Sequence, residues 1–268
     1  MKKLIILLIG IALFASCSNE KKAENSSSIE AKIDTLTYIY DSVKVYSKNI
    51  AKAETAFKDT AKATIKYPVF KNEALNKHIQ RQVLNYFSDE DPSIISYQEI
   101  ANSFIRGYDS FFKDNQNTPQ SWFLIIDVRV LQQSSNYIAL KYLHGDYAGG
   151  AHPNSSITFI NFNPKTNQPL TLDSLIENDQ KPKLLAVAET IFRKNEKLTP
   201  TEPLADKYFF DQGKFALAQS FYVNDKGLVF LYNPYEIKAY AYGTTELIIP
   251  FNQLQGIAKP NTILSENN

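Results

Sequence analysis

The chain has 268 residues, of which 44% are apolar and 13% aromatic, enough for one large domain or two small ones with a real core. Its 29 basic and 28 acidic residues nearly cancel, which argues against a nucleic-acid-binding protein, because that role needs a clear basic excess. A single cysteine excludes an intrachain disulfide, so stability must come from burial.

Met1-Lys2-Lys3 gives a positive start, Leu4 to Phe14 is apolar apart from Gly10, and Ala15-Ser16-Cys17 sets small residues ahead of a thiol. That is the layout of an export signal, and the apolar run is shorter than the roughly 20 residues of a spanning helix. The segment resembles the bacterial lipobox, with Phe14 where an aliphatic residue is usual. The resemblance implies removal of residues 1–16 and a diacylglycerol on Cys17. The membrane partner is then reached through that lipid, and the chain is expected in the cell envelope, at the periplasmic face or surface of the outer membrane. Cleavage removes two lysines and no acid, leaving 27 basic against 28 acidic residues. Residues 17–33 are polar, small and charged, and read as a disordered tether.

Leu36, Tyr38 and Tyr40, then Val43 and Val45, alternate with polar residues, as a strand does. Ala61 to Phe70 alternates too, and Pro68 within it predicts an edge strand or a bulge. Asn72 is placed to cap a helix whose Leu75, Ile79, Val83 and Phe87 form one stripe. Ser96 to Asp114 is a second helix, with Ile100, Phe104, Tyr108 and Phe111 on its apolar face. Trp122–Gln132 and Tyr137–Leu143 read as a hairpin, followed by a glycine-rich loop over Gly145–Pro153 and a strand over Ser156–Phe162. A turn at Asn163–Gln168 leads to a short helix from Asp173 and a longer one over Lys183–Lys194. Phe215–Val223 and Leu228–Tyr232 form another hairpin about Asn224–Gly227, and Leu247–Pro250 is a last strand. Strands come in hairpins rather than alternating with helices, so the expected class is α+β: antiparallel sheets with packed helices, in two lobes. The expected divisions are 34–165 and 166–258, with a polar tail over 259–268.

Thr64 to Phe70, the helix after Asn72 and His144-Gly-Asp-Tyr-Ala-Gly-Gly-Ala-His-Pro153 resemble the uncharacterised family DUF4163, which is also found beside the catalytic domain of peptidoglycan deacetylases. Residues 170–255, with Phe221-Tyr-Val-Asn-Asp-Lys-Gly-Leu-Val-Phe, Asn233-Pro-Tyr-Glu-Ile and Ile248-Ile-Pro-Phe, resemble its companion DUF3298. The same pair forms the external part of a membrane-bound anti-sigma factor that senses lysozyme. The resemblance implies a non-enzymatic module that binds lysozyme or peptidoglycan. Neither a cytoplasmic sigma-binding segment nor a deacetylase catalytic domain with its Asp and His motifs is expected here.

Two segments are candidate ligand sites. In Tyr147 to Pro153, Gly149 and Gly150 permit positive φ and Pro153 holds His152 extended. The loop either presents its amides and His152 to a ligand or is a sharp corner pinned by His152. In Asn233 to Tyr242, the tyrosines Tyr235, Tyr240 and Tyr242 either face a sugar or partner or close a sheet edge. Glycan hydrolysis or deacetylation through His152 is the alternative activity. His144, Asp146 and His152 lie close enough in sequence to consider a metal, but no spaced acidic motif accompanies them, so neither metal nor cofactor is expected. Glu236 has no evident carboxylate partner for glycosidase chemistry. There is no Gly-x-Ser-x-Gly elbow, and lipidation would consume Cys17. Asp34-Thr-Leu, Asp41-Ser-Val and Asp59-Thr-Ala look like short O-glycosylation signals suited to an exposed stalk.

Overall fold

The computed structural model describes residues 36–51, 59–88, 91–117 and 120–265. The export segment, Cys17, the tether and Asp34 lie outside the described residues.

Six strands form the first sheet in chain order: β1 (Tyr38–Ile50), β2 (Thr60–Phe70), β3 (Phe123–Gln133), β4 (Ile138–Tyr147), β5 (Asn154–Asn163) and β6 (Gln168–Pro169). Neighbours pair antiparallel except β2 and β3, which run parallel from Lys62↔Phe123 to Lys66↔Asp127. A parallel pair needs a long crossover. Helices α1 (Glu73–Ser88) and α2 (Tyr97–Asp114) supply it. Both start at capping residues. Asn72 Oδ1 accepts the Leu75 N–H at 3.0 Å, and Ser96 Oγ accepts the Glu99 N–H at 3.1 Å.

Pro68 sits on an interior strand, not the edge strand its missing N–H suggested. The ladder to β3 ends at Lys66, so the proline occupies a stretch of β2 that is paired on one side only, which removes the conflict. Strand alternation turns Ala61, Ala63, Ile65, Leu124, Ile126, Val128, Leu140, Tyr142, Ile160 and Phe162 toward the helices. From α1 they meet Leu75, Ile79 and Val83, and from α2 they meet Tyr97, Ile100, Ala101, Ile105 and Tyr108. The buried stripe of α2 is thus rotated from the expected one. Phe104 packs only partly and Phe111 is exposed, because both turn toward Trp122 at the rim.

The second sheet is smaller, with β7 (Phe221–Val223), β8 (Gly227–Tyr232) and β9 (Thr245–Pro250) antiparallel in that order. It packs with α3 (Leu172–Leu175) and α4 (Lys181–Asn195) around a second core that includes Leu184, Ala188, Phe192, Leu228, Phe230 and Ile249. β7 is shorter than expected. Phe215 and Ala218 are buried in irregular chain, and the Tyr232 hydroxyl donates to the Ala216 carbonyl at 2.7 Å. The turn into β8 is set by Asn224, whose side-chain oxygen accepts from Lys226 N–H at 2.8 Å and Gly227 N–H at 3.1 Å. Gly227 has φ +151°, and a β-carbon there would overlap the Ile249 carbonyl. Residues 259–265 do not leave the body as a polar tail. Lys259 N–H donates to Leu175 O at 2.8 Å, and Leu264 is fully buried.

A buried polar network joins the sheets. Tyr137 hydroxyl donates to Asn161 Oδ1 at 2.6 Å and accepts Val223 N–H at 2.8 Å. Asn161 Nδ2 donates to Phe221 O at 2.7 Å, and Phe159 packs on Tyr222 with centroids 4.3 Å apart. Two of the proposed glycosylation signals lie in strands rather than on a stalk. Ser42 is in β1, and Thr60, at the start of β2, donates its hydroxyl to the Ser47 and Asn49 carbonyls.

Candidate functional site

β4 and β5 continue the ladder to Asp146↔Asn154, so Gly145 and Asp146 belong to a strand and the loop shrinks to residues 148–153. Its first turn uses Gly149 at φ +100° and Gly150 at φ +105°, where an L side chain is strained. Tyr147 supports it from below: the hydroxyl reaches Gly150 O at 3.0 Å and also the Gln120 side chain, and the ring stacks on Phe123.

The second candidate segment leaves β8 and returns to this loop. Asn233 fixes the path by behaving as an extra strand residue. Its Oδ1 accepts Ile157 N–H at 2.7 Å and its Nδ2 donates to Ile157 O at 3.0 Å. Its own N–H donates to Glu236 at 2.8 Å. Burial pushes the Glu236 carboxyl above its ordinary range, opposed by that hydrogen bond. Tyr235 adopts φ +67°, and its N–H donates to Lys238 O at 2.9 Å. The Lys238 ammonium pairs at 2.7 Å with Glu196, the residue that caps the end of α4, and Glu196 also accepts the Tyr208 hydroxyl at 2.9 Å. The turn is thereby held to β5 at one end and to the start of the α4 exit loop at the other.

The result is an aromatic platform made from residues about eighty positions apart. His152 stacks on Tyr240, with centroids 4.2 Å apart and planes 20° from parallel. Tyr235 flanks the same ring at 6.3 Å and Tyr240 at 5.6 Å. His152 Nδ1 lies 2.9 Å from Pro153 O and Nε2 lies 3.3 Å from the Tyr235 hydroxyl, which fits an Nδ1–H tautomer with Nε2 accepting. The Tyr240 hydroxyl donates to the same Pro153 carbonyl at 3.2 Å. Tyr235 is 57% exposed and Tyr242 73%. Tyr242 ends the segment without a ring contact to the cluster among the described residues.

Tyr147, Gly149, Gly150, His152, Tyr235 and Tyr240 therefore gather in one region, and Tyr242 borders it. His152 pins the corner, as one of the two alternatives weighed for the loop had it, and its ring is exposed. Its two nitrogens meet a carbonyl and a phenol rather than a carboxylate. His144 sits on the helix-packed face of β4, buried, 3.5 Å from Asp146 and edge-on to Tyr86 and Phe87. Burial pulls its pKa below the ordinary histidine value, and Asp146 opposes that shift. Among the described residues no three His, Cys, Asp or Glu side chains gather as a metal site would require. The sequence signalled both segments but not their meeting. It also missed the clamping roles of Asn233 and Lys238, for which only the non-periodic run Asn233–Lys238 was a cue.

Fold and platform define a two-sheet α+β module with an exposed ring surface at the junction of its sheets. Residues 54–155 match the family described as "Deacetylase PdaC", and residues 173–252 match "Protein of unknown function (DUF3298)". Each matched range contributes one half of the platform. A solved member of the DUF3298 family from Bacteroides fragilis is 24% identical, covering 87% of this chain and 98% of that one with a TM-score of 0.67. A DUF3298 family protein from Pseudomonas aeruginosa is 20% identical, covering 85% and 96%, with a TM-score of 0.64. At such identities the likeness establishes the α+β fold. No curated protein matches the sequence.

Proposed function

We propose that this chain is a lipid-anchored, non-enzymatic module of the cell envelope that binds peptidoglycan glycan on the His152–Tyr235–Tyr240 platform. The observation that carries the reading is the convergence of two separate segments on one exposed stack of rings. Tyrosine and histidine faces suit the C–H face of a sugar, and their hydroxyls and ring nitrogens supply hydrogen bonds at its edge. A rigid platform loses little side-chain entropy on binding. The match of residues 54–155 to a deacetylase-associated family supports a wall ligand, as does the resemblance of the chain to DUF4163 with DUF3298. The layout of Met1 to Cys17 supports export and acylation, and so an envelope location.

The test is retention of the purified chain on isolated sacculi, with immobilised lysozyme, the other partner the resemblance implies, as a second arm. Wild type is expected to sediment with sacculi, and Tyr240→Ala and His152→Ala to lose most of that retention while keeping their melting temperature. Retention on lysozyme alone would replace the glycan by that protein. Retention on neither would end the reading.

A further inference from the structure

The loop that carries His152 has a second flank. Ala148 and Asn154, at its two ends, border a cleft of about 460 Å³ on the helix side of the first sheet, within the usual size of small-molecule sites. Trp122 and Phe104 form one aromatic wall, with centroids 6.1 Å apart and planes 56° from parallel. Tyr86 stands at another wall, against His144.

The polar groups around the cleft are mixed in kind. Asp146 brings an acceptor, and Ser103 and Asn154 bring groups that both donate and accept. The side chains of Ser103 and Asn154 make no hydrogen bond to other described residues. Among the described residues no lysine or arginine lines the cleft, while Asp91 and Asp146 do, so a phosphate or carboxylate ligand would face an acidic lining. A simple ammonium ion would use the carboxylates and rings but leave the donors idle. A hydroxyl-rich neutral ring uses all three kinds of group: C–H face on the indole, hydroxyls to the carboxylate, and an acyl or ring oxygen on the amide and hydroxyl donors.

We propose that this cleft is a second binding site, for a neutral hexosamine sugar ring. The choice of sugar rests on the reading of the chain as a wall-glycan binder, but the site shares no residue with the platform. The two flank one loop, so a glycan strand crossing Ala148 to Pro153 would meet both.

Trp122 is the only tryptophan in the chain, so intrinsic fluorescence reports on the cleft wall directly. The full chain would be titrated with N-acetylglucosamine trimer and, separately, with tetramethylammonium chloride. The expected result is a saturable change in emission with the trimer and none of comparable size with the ammonium salt. The double variant Ser103→Ala with Asn154→Ala, both away from the buried core, should weaken the trimer about tenfold, the loss of two ordinary hydrogen bonds. Tyr240→Ala should leave the titration unchanged. No response to the trimer, an equal response to tetramethylammonium, or an unweakened double variant would overturn the proposal. A Tyr240→Ala chain that loses sacculus retention but keeps the fluorescence response supports both sites. One that keeps both supports the cleft and removes the platform.

Discussion

Replacing Tyr137 by phenylalanine removes one oxygen and almost no volume, so it isolates what the hydroxyl contributes. That hydroxyl accepts from Val223 N–H at 2.8 Å and donates to Asn161 Oδ1 at 2.6 Å, with Tyr137 itself fully buried. Tyr137→Phe therefore leaves a backbone N–H and an amide oxygen facing a ring edge. Each orphaned buried group costs about 1–3 kcal/mol, which makes the expected loss of the two about 2–6 kcal/mol. Against a total stability of about 5–15 kcal/mol, that is a large fraction. Tyr142→Phe is the matched control. The Tyr142 hydroxyl is buried with no hydrogen-bond partner among the described residues, so its removal should be neutral or stabilising by up to about 1 kcal/mol. Urea unfolding followed by circular dichroism measures both. Equal losses in the two variants, or a Tyr137→Phe loss under 1 kcal/mol, would refute the claim that this network joins the sheets.

Three further outcomes follow from other parts of the fold. Gly227→Ala should cost at least about 3 kcal/mol or prevent folding, because its β-carbon would overlap the Ile249 carbonyl at a φ of +151°; a soluble variant of wild-type melting temperature would contradict this. Lys238→Met strands Glu196 in a half-buried setting where it now has an ammonium at 2.7 Å, and should cost about 2–3 kcal/mol in thermal unfolding. His144 has a folded-state pKa held below its unfolded value by burial, with Asp146 opposing. Below the unfolded value near 6.5 the unfolded chain therefore binds the extra proton more readily, and stability should fall as pH drops from 7.5 toward 5. His144→Gln should flatten that slope, and an unchanged slope would mean that other groups set it.

Much of this fold is written in local signals. The stripe Leu75–Ile79–Val83, the Asn72 cap and the Asn224–Gly227 turn depend on residues within one or two turns of each other, and each appears as expected. What local periodicity misses is set by partners far away. The face of α2 follows the rim position of Trp122 rather than the tightest apolar stripe. Pro68 is tolerated inside the sheet because the β2–β3 ladder ends at Lys66, before reaching it. Leu264 is buried because the second core has room for it, although the polar residues around it read as a tail. The candidate site divides in the same way. The Gly149–Gly150 corner and the Asn233–Glu236 turn are visible as motifs, but the stacking of Tyr240 on His152 depends on the Asn233 clamp to β5, which no sequence spacing encodes.

The central claim, that the two segments form one ligand surface, is tested most directly by hydrogen–deuterium exchange of the chain with and without soluble muropeptides. Slowed exchange in both 148–153 and 233–243, absent in Tyr240→Ala, is the predicted result. Protection confined to other regions, or unchanged exchange at saturating muropeptide, would contradict it.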